Sequence, residues 1–183
     1  MADIADAAGV AVQTVYFVFH TKSDVLSSTY ELAVLGEGDP APPQSQDWYR
    51  QGASEPSLVA AVRIMVEGSG EIVRRVTPLD LAVRAAAASD PDAARFLAHN
   101  ENMRIDGYRG MIDLLRAKAP LRANLSPERA TDVLLLLVSP SAYRALVLDR
   151  GWSHPDWVAW TSGVLAEQLF ELHQRDTGRE PSG

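Results

Sequence analysis

The stretch "IADAAGVAVQTVYFVFHTKSDVL", residues 4–26, decides the interpretation of this chain because its pattern predicts two short helices joined by a tight turn. Ile4 lies on the apolar face of the first helix, and Gly9 supplies the turn. Val15 and Phe19, four residues apart, form the inner face of the second helix. This is the arrangement of a helix-turn-helix, whose second helix enters the major groove of DNA.

The outer face of the second helix carries side chains that are suited to contacts with DNA. A glutamine pairs with adenine, a small apolar side chain contacts the thymine methyl group, and threonine and tyrosine hydroxyls reach phosphates. The lysine at the start of the following helix is the one clear phosphate-binding cation of this segment. The candidate DNA-binding residues are Ala11, Val12, Gln13, Thr14, Tyr16, His20 and Lys22. The alternative is an ordinary helical hairpin without a role in DNA binding.

These residues also resemble a known module. The pattern Ile-Ala-x-x-Ala-Gly-Val at residues 4–10, followed by Thr14-Val15-Tyr16, Phe19, Lys22 and Leu26, resembles the DNA-binding module of the TetR (tetracycline-repressor-like) family of bacterial regulators. About ten positions at fixed spacing carry the resemblance, which makes the motif specific.

The remainder of the chain resembles, more loosely, the helical ligand-binding and dimerisation domain of the same family. The likeness is clearest in "SPSAYRALVLDRGWSHPDWVAW" at residues 139–160, which is similar to the last two helices of one branch. The resemblance implies a ligand-responsive transcriptional regulator, a repressor that binds a pseudo-palindromic double-stranded DNA operator as a homodimer. It also implies a small apolar or amphipathic effector, no cofactor, no membrane association and a cytoplasmic location.

The chain departs from the family pattern at its start. In this family an amphipathic helix, usually preceded by a basic arm, comes before the Ile-Ala segment, whereas Met1 here falls where the family has an internal residue. Ala11 stands where serine is common, and Val18 stands where an aromatic residue is common. We therefore expect a module that lacks its first helix, through a start assigned too late or a truncated gene. The side chains expected to be partly exposed as a result are Ile4, Ala8, Val15 and Phe19.

Composition and charge narrow the class of protein. Apolar residues make up 46% of the chain, which is enough for a sizeable core. The absence of cysteine excludes disulfides and thiolate metal sites. The net charge of −7, and of −3 within residues 1–35, argues against non-specific nucleic-acid binding by the whole surface. The longest strongly apolar run, residues 133–138, is too short to span a bilayer, and the acidic start is no signal peptide, so a soluble protein is predicted.

Helical periodicity and helix-start signals predict an all-α fold. Thr21, Thr77 and Ser153 are each followed three residues later by aspartate, as in a capping box. Asp90 and Ser126 each stand before a proline suited to the first helical turn. The predicted helices lie near residues 2–8, 12–19, 22–35, 57–76, 78–89, 91–118, 127–149 and 155–174.

Four segments follow from this pattern. Residues 1–35 form the incomplete DNA-binding domain, and residues 36–56, rich in proline and glycine, form a linker with a short helical turn around Trp48. Residues 57–175 form the ligand-binding and dimerisation domain, and residues 176–183 form a disordered tail. Within 127–149, Pro140 is expected to kink the helix.

Two sets of apolar residues are candidates for function. The first could line an effector cavity between helices, although methionine and aromatic residues at helical spacing are also common in a simple core. It consists of Met65, Phe96, His99, Met103, Tyr108, Met111 and Tyr143, with His99 and Asn100 as polar groups. The second set lies on the last two helices, which are either buried in the monomer or exposed as a dimer surface. Its members are Leu146, Trp157, Trp160, Leu165 and Leu169.

Catalytic and metal-binding patterns are missing from the sequence. The histidines at 20, 99, 154 and 173 are scattered without ligand spacing, and no Gly-x-Ser-x-Gly nucleophile motif occurs. We therefore predict no catalytic residue and no metal site. Two alternatives stay open: a helical dimerisation or small-molecule-binding protein whose shortened module no longer binds DNA, and an all-helical enzyme, which would need a convergent polar site.

Overall fold

The computed structural model describes residues 1–36 and 41–172, and over these ranges the chain is helical. The predicted all-α fold class is thereby confirmed. The one β-bridge among the described residues joins Leu121 to Phe170. The helices are α1 (Ala2–Ala8), α2 (Val12–Val18), α3 (Lys22–Leu35), α4 (Asp47–Ser54), α5 (Leu58–Ala87), α6 (Pro91–Arg116), α7 (Pro127–Leu137), α8 (Pro140–Tyr143) and α9 (His154–Leu169).

The first two helices form a hairpin that packs chiefly against itself. Gly9 ends α1 in the left-handed conformation, with φ of 66°, which glycine adopts without a steric penalty. Ala5 and Val15 are buried in this hairpin. The predicted partial exposure of Val15 is wrong, because α1 lies against α2 and covers it. Ile4 and Ala8 are exposed and Phe19 is half-buried, as expected.

Side-chain caps place most helix starts where the sequence predicts them. Thr21 and Asp24 form the full capping box at the start of α3. The side chains of Asp90, Ser126 and Ser153 accept hydrogen bonds from backbone N–H groups at the starts of α6, α7 and α9. Each of these capping side chains accepts a hydrogen bond from a backbone N–H group that the first helical turn leaves without a partner.

Helix α5 contradicts two of the sequence predictions. It runs without a break through Pro78, so residues 57–76 and 78–89 are one helix, and Thr77 is not a cap. The Thr77 hydroxyl donates instead to the Val73 carbonyl, at 2.6 Å. A proline inside a helix costs about 3 kcal/mol. Val76 and Val83 are buried on either side of it, and we attribute the continuity of α5 to this packing.

The chain breaks instead between α7 and α8. Val138 has φ of −100° and ψ of 66°, outside the helical region, and the Ser139 side chain caps α8. Pro140 has no N–H and disfavours helical geometry in the residue before it, so the expected kink becomes a break. A π-helical turn, Arg144–Leu148, follows α8.

The main core surrounds α5, which packs against α3, α4, α6 and α9. Its largest fully buried side chains include Trp157 and Phe170. Helix α9 ends at Leu169 rather than near residue 174, because Phe170 is extended and pairs with Leu121. The predicted tail, 176–183, lies outside the described residues. The helical turn expected around Trp48 is present as the longer helix α4.

Gly68 on α5 allows α4 to pack closely, and its substitution should be destabilising. A Cβ at this position would lie 2.1 Å from Cδ2 of Trp48. We expect Gly68→Ala to lower the free energy of unfolding by about 1–3 kcal/mol, because the indole must move. Urea denaturation measures this change.

Gly163 on α9 provides the control, because a Cβ there would meet no atom within 4 Å. Gly163→Ala should stabilise the helix by up to about 1 kcal/mol. Equal effects of the two substitutions would show that the contact between Trp48 and Gly68 does not constrain the fold.

Candidate ligand cavity and candidate DNA-binding hairpin

A cavity of about 310 Å³ lies between α3, α5, α6 and the segment that leads into α4. Its floor consists of buried side chains, whereas residues at its mouth are exposed. The floor residues are Tyr30, Ser69, Val73, Val76, Tyr108 and Met111. The exposed residues are Glu31, Pro42, Gln44, His99 and Met103. The cavity therefore has an apolar interior and a partly polar mouth, which suits a small amphipathic molecule.

The structure places the predicted cavity residues in two groups. His99, Met103, Tyr108 and Met111 line this cavity, as does Asn100. All lie on α6, where their spacing puts them on one face.

The other three predicted cavity residues, Met65, Phe96 and Tyr143, do not line it, so their assignment is wrong. Met65 is buried in the main core beside Gly52. The Phe96 ring packs edge-on against Tyr30, with centroids 5.7 Å apart. The Tyr143 hydroxyl lies 3.0 Å from Nδ1 of His154.

Arg104 on α6 is the cavity residue that sequence reasoning missed. Its Nε and Nη2 atoms donate to the two carboxylate oxygens of Glu101, and Nη1 donates to the carbonyls of Leu135 and Val138. The guanidinium also lies 5.7 Å from the centroid of the Tyr108 ring. Arg104 thus satisfies carbonyls at the break after α7, where the helix leaves them without intrahelical partners. In the sequence, Arg104 stands three residues after Glu101, a spacing that exposed ion pairs on helices also have. The spacing therefore did not indicate that Arg104 lines a cavity.

Tyr108, on the cavity floor, also contacts the chain at the break between α7 and α8. Its hydroxyl donates to the Val138 carbonyl at 2.9 Å. Burial raises the pKa of Tyr108 to about 12, because the phenolate would lose its hydration. The Tyr108 hydroxyl therefore links the cavity floor to the end of α7. This hydrogen bond requires the hydroxyl to be protonated, because the hydroxyl is the donor.

The raised pKa of Tyr108 predicts a loss of stability at alkaline pH. Above the ordinary tyrosine pKa of 10.0 the unfolded chain releases this proton, whereas the folded chain keeps it up to a pKa of about 12. The stabilisation is complete below pH 10 and is lost as the pH rises toward 12, by about 2–3 kcal/mol. Urea denaturation at a series of pH values across this range should therefore show a smaller decline in the free energy of unfolding for Tyr108→Phe than for the wild type. Parallel declines would contradict the assignment.

The predicted DNA-contacting residues lie on the outside of the hairpin and at the start of α3. These residues are Ala11, Val12, Gln13, Thr14, Tyr16, His20 and Lys22. All of them are exposed except Val12, which is half-buried. Phe17, which is not among the predicted DNA-contacting residues, has 84% of its surface exposed. Ala11 precedes α2 without forming a side-chain cap.

Helix α3 connects the hairpin to the cavity. It begins at Lys22, directly after the hairpin, and its last two turns contribute Tyr30 and Glu31 to the cavity wall. The Ser23 hydroxyl donates to the carboxylate of Asp90 at the start of α6. Arg75 of α5 donates to the carbonyl of Ala33 at 2.7 Å. Helix α3 is therefore attached to both α5 and α6, the other two helices of the cavity wall.

The predicted dimer residues separate into core and surface. Trp157, Leu165 and Leu169 are buried within the monomer, so their assignment to an interface is wrong. The reason is that α9 packs against α5 and this face is covered. Trp160 remains 43% exposed and Leu146 is half-buried.

An apolar surface remains on the outside of the last helices. Leu136 on α7, Leu148 after α8 and Trp160 on α9 are all exposed. The Trp152 ring packs edge-on against Trp160, with centroids 5.7 Å apart. We call Leu136, Leu148, Trp152 and Trp160 the outer apolar surface. Trp152 and Trp160 contact each other, and exposed large apolar side chains of this kind are candidates for an association site.

Two further findings concern metal ligands and membrane-spanning helices in the described part of the chain. Residues 1–36 and 41–172 contain no group of three histidine or acidic side chains placed to hold a metal ion. Over the same ranges no single helix has the length and apolar character needed to cross a membrane, and only the bent pair Pro127–Leu137 and Pro140–Leu148 meets those criteria jointly. Comparisons of the chain with protein-family models, with curated proteins and with solved structures gave no match.

Proposed function

We propose that this protein is a ligand-responsive transcriptional regulator, a repressor that binds operator DNA as a homodimer in the cytoplasm. One observation carries the proposal most strongly. The helix that follows the DNA-facing hairpin is also a wall of the 310 Å³ cavity. A molecule that binds in the cavity and favours one position of α3 would change the position of the hairpin.

The exposed residues of the hairpin support DNA contact. Gln13 and Thr14 lie in the first turn of α2 and are free of the monomer core, as a recognition helix requires. Lys22 is exposed at the first position of α3, where it is available to a phosphate.

The outer apolar surface supports association of two copies. A two-fold axis through it would pair each patch with its own copy, which is the usual symmetry of a homodimer. Two hairpins in one dimer could then contact successive major grooves, about 34–36 Å apart. An inverted repeat in the operator would follow from that symmetry.

Two substitutions distinguish base recognition from phosphate contact. On the duplex that the wild-type protein enriches most from a random pool, Gln13→Ala should weaken binding by about 1–3 kcal/mol and relax specificity at one base pair. Lys22→Ala should weaken binding to all duplexes and flatten the dependence on salt. Fluorescence anisotropy measures both.

The control for these substitutions is Arg63→Ala on α5, an exposed residue outside the hairpin and the cavity. It should leave the affinity for DNA unchanged. If Gln13→Ala and Lys22→Ala also bind every duplex as the wild type does, the hairpin is not the DNA-binding element.

A second candidate function is a helical dimerisation or small-molecule-binding protein that does not bind DNA. The observation in its favour is the surface of the hairpin itself. Residues 1–35 carry a net charge of −3, and Phe17 and Val18 expose apolar surface, which is a poor surface for phosphates. Dimerisation and ligand binding without any DNA binding would favour this candidate.

A further inference from the structure

The charges around the cavity restrict the molecules that it can hold. Arg104 is the one arginine or lysine among the described lining residues. Four of its five N–H groups are already bonded to Glu101 and to the carbonyls at the end of α7. Its charge is also balanced by the Glu101 carboxylate at 2.8 Å. One N–H group is left for an incoming anion, which could not form a bidentate pair without displacing these partners, so Arg104 is a poor anchor for a carboxylate.

The mouth of the cavity carries the opposite charge. Glu31 lies there and is exposed. Within residues 1–36 and 41–172 no basic side chain lies within 4.0 Å of its carboxylate. A positive head group at the mouth would gain an attraction there, whereas a negative one would be repelled.

The interior of the cavity is apolar and aromatic. Tyr30, Trp48 and Tyr108 contribute rings, and Val73 and Met111 contribute aliphatic and thioether surface. A dry apolar cavity of about 150 Å³ can hold benzene. A volume of about 310 Å³ therefore has room for a bicyclic ring system or an alkyl chain of similar size.

We propose that the cavity binds compact amphipathic molecules whose apolar body enters between α3, α5 and α6 and whose head group is an ammonium or is uncharged, and that it rejects carboxylates. The inference rests on the ligand-responsive regulator proposed above and names the class of its effector. The ammonium lies beside Glu31 at the mouth, and the rings of Trp48 and Tyr108 contact the body.

Three probes of nearly equal shape test the proposal with the full-length protein and without DNA. They are 2-(1-naphthyl)ethylamine, 2-(1-naphthyl)ethanol and 1-naphthylacetate, and isothermal titration calorimetry measures their affinities. We expect the amine to bind more tightly than the carboxylate by about tenfold or more, with the alcohol between them. Glu31→Gln should weaken the amine about fivefold and leave the alcohol within about twofold.

The matched control is Glu67→Gln, an exposed glutamate of α5 that does not line the cavity, and it should change none of the three affinities. Tightest binding of the carboxylate, equal binding of all three probes, or binding of none would overturn the proposal. An unchanged preference for the amine in Glu31→Gln would overturn the role of Glu31. Because no DNA is present, these outcomes are separate from a failure of operator binding.

Discussion

Replacing Leu165 by glutamate should unfold the protein rather than separate two folded copies. Leu165 is 2% exposed and belongs to the core between α5 and α9. A carboxylate at this position would lose its hydration without gaining a partner, and we expect a loss of about 4 kcal/mol or more. Circular dichroism should show a much lower melting temperature or an unfolded chain at 25 °C.

Trp160 provides the matched substitution on the outside of the same helix. Its side chain is 43% exposed and belongs to the outer apolar surface. Trp160→Glu should keep the helical content of the wild type but shift the sedimentation coefficient from dimer to monomer. A folded Leu165→Glu variant with the wild-type melting temperature would contradict the assignment of Leu165 to the core. A monomeric wild type at micromolar concentration would contradict the dimer.

Replacing Arg104 by methionine should lower the free energy of unfolding by about 1.5–3 kcal/mol. The side chain of Arg104 is 24% exposed, and its loss leaves the carboxylate of Glu101 and the carbonyl of Leu135 without their donor. Methionine keeps most of the volume, so the loss reports mainly on the hydrogen bonds. Urea denaturation measures the change.

Arg109 on the same helix is the control for that substitution. It pairs with Asp106 at the same three-residue spacing, but its side chain is 58% exposed. Arg109→Met should change the free energy of unfolding by less than about 1 kcal/mol, because exposed pairs contribute little. Similar losses of the free energy of unfolding in the two variants would show that the hydrogen bonds of Arg104 to the end of α7 do not stabilise the fold.

Local signals in the sequence predicted the helix starts well and the helix continuity poorly. Thr21, Asp90 and Ser126 act on their own first turns, so their effect depends only on nearby residues. Thr77 and Pro78 show the same kind of signal, yet α5 continues through them. Burial of neighbouring valines on both sides of the proline is a tertiary effect, which a capping pattern does not report.

The same limit explains the errors in the candidate site. Helical spacing predicted that His99, Met103, Tyr108 and Met111 share a face, and they do line one cavity. It did not tell which apolar face meets a cavity, a core or solvent, so Met65 and Tyr143 were misassigned. The three buried residues of α9 were misassigned for the same reason. The role of Arg104 depends on a break in α7 that lies 31 residues away in sequence.

Sequence-specific binding of duplex DNA is the property on which the proposed function depends most. It is measured directly by incubating the wild-type protein with a pool of random duplexes and sequencing those that it retains. We expect enrichment of an inverted repeat whose half-sites are about one helical turn apart, and loss of that enrichment in Gln13→Ala. A retained pool with the same sequence composition as the starting pool would contradict the proposed function.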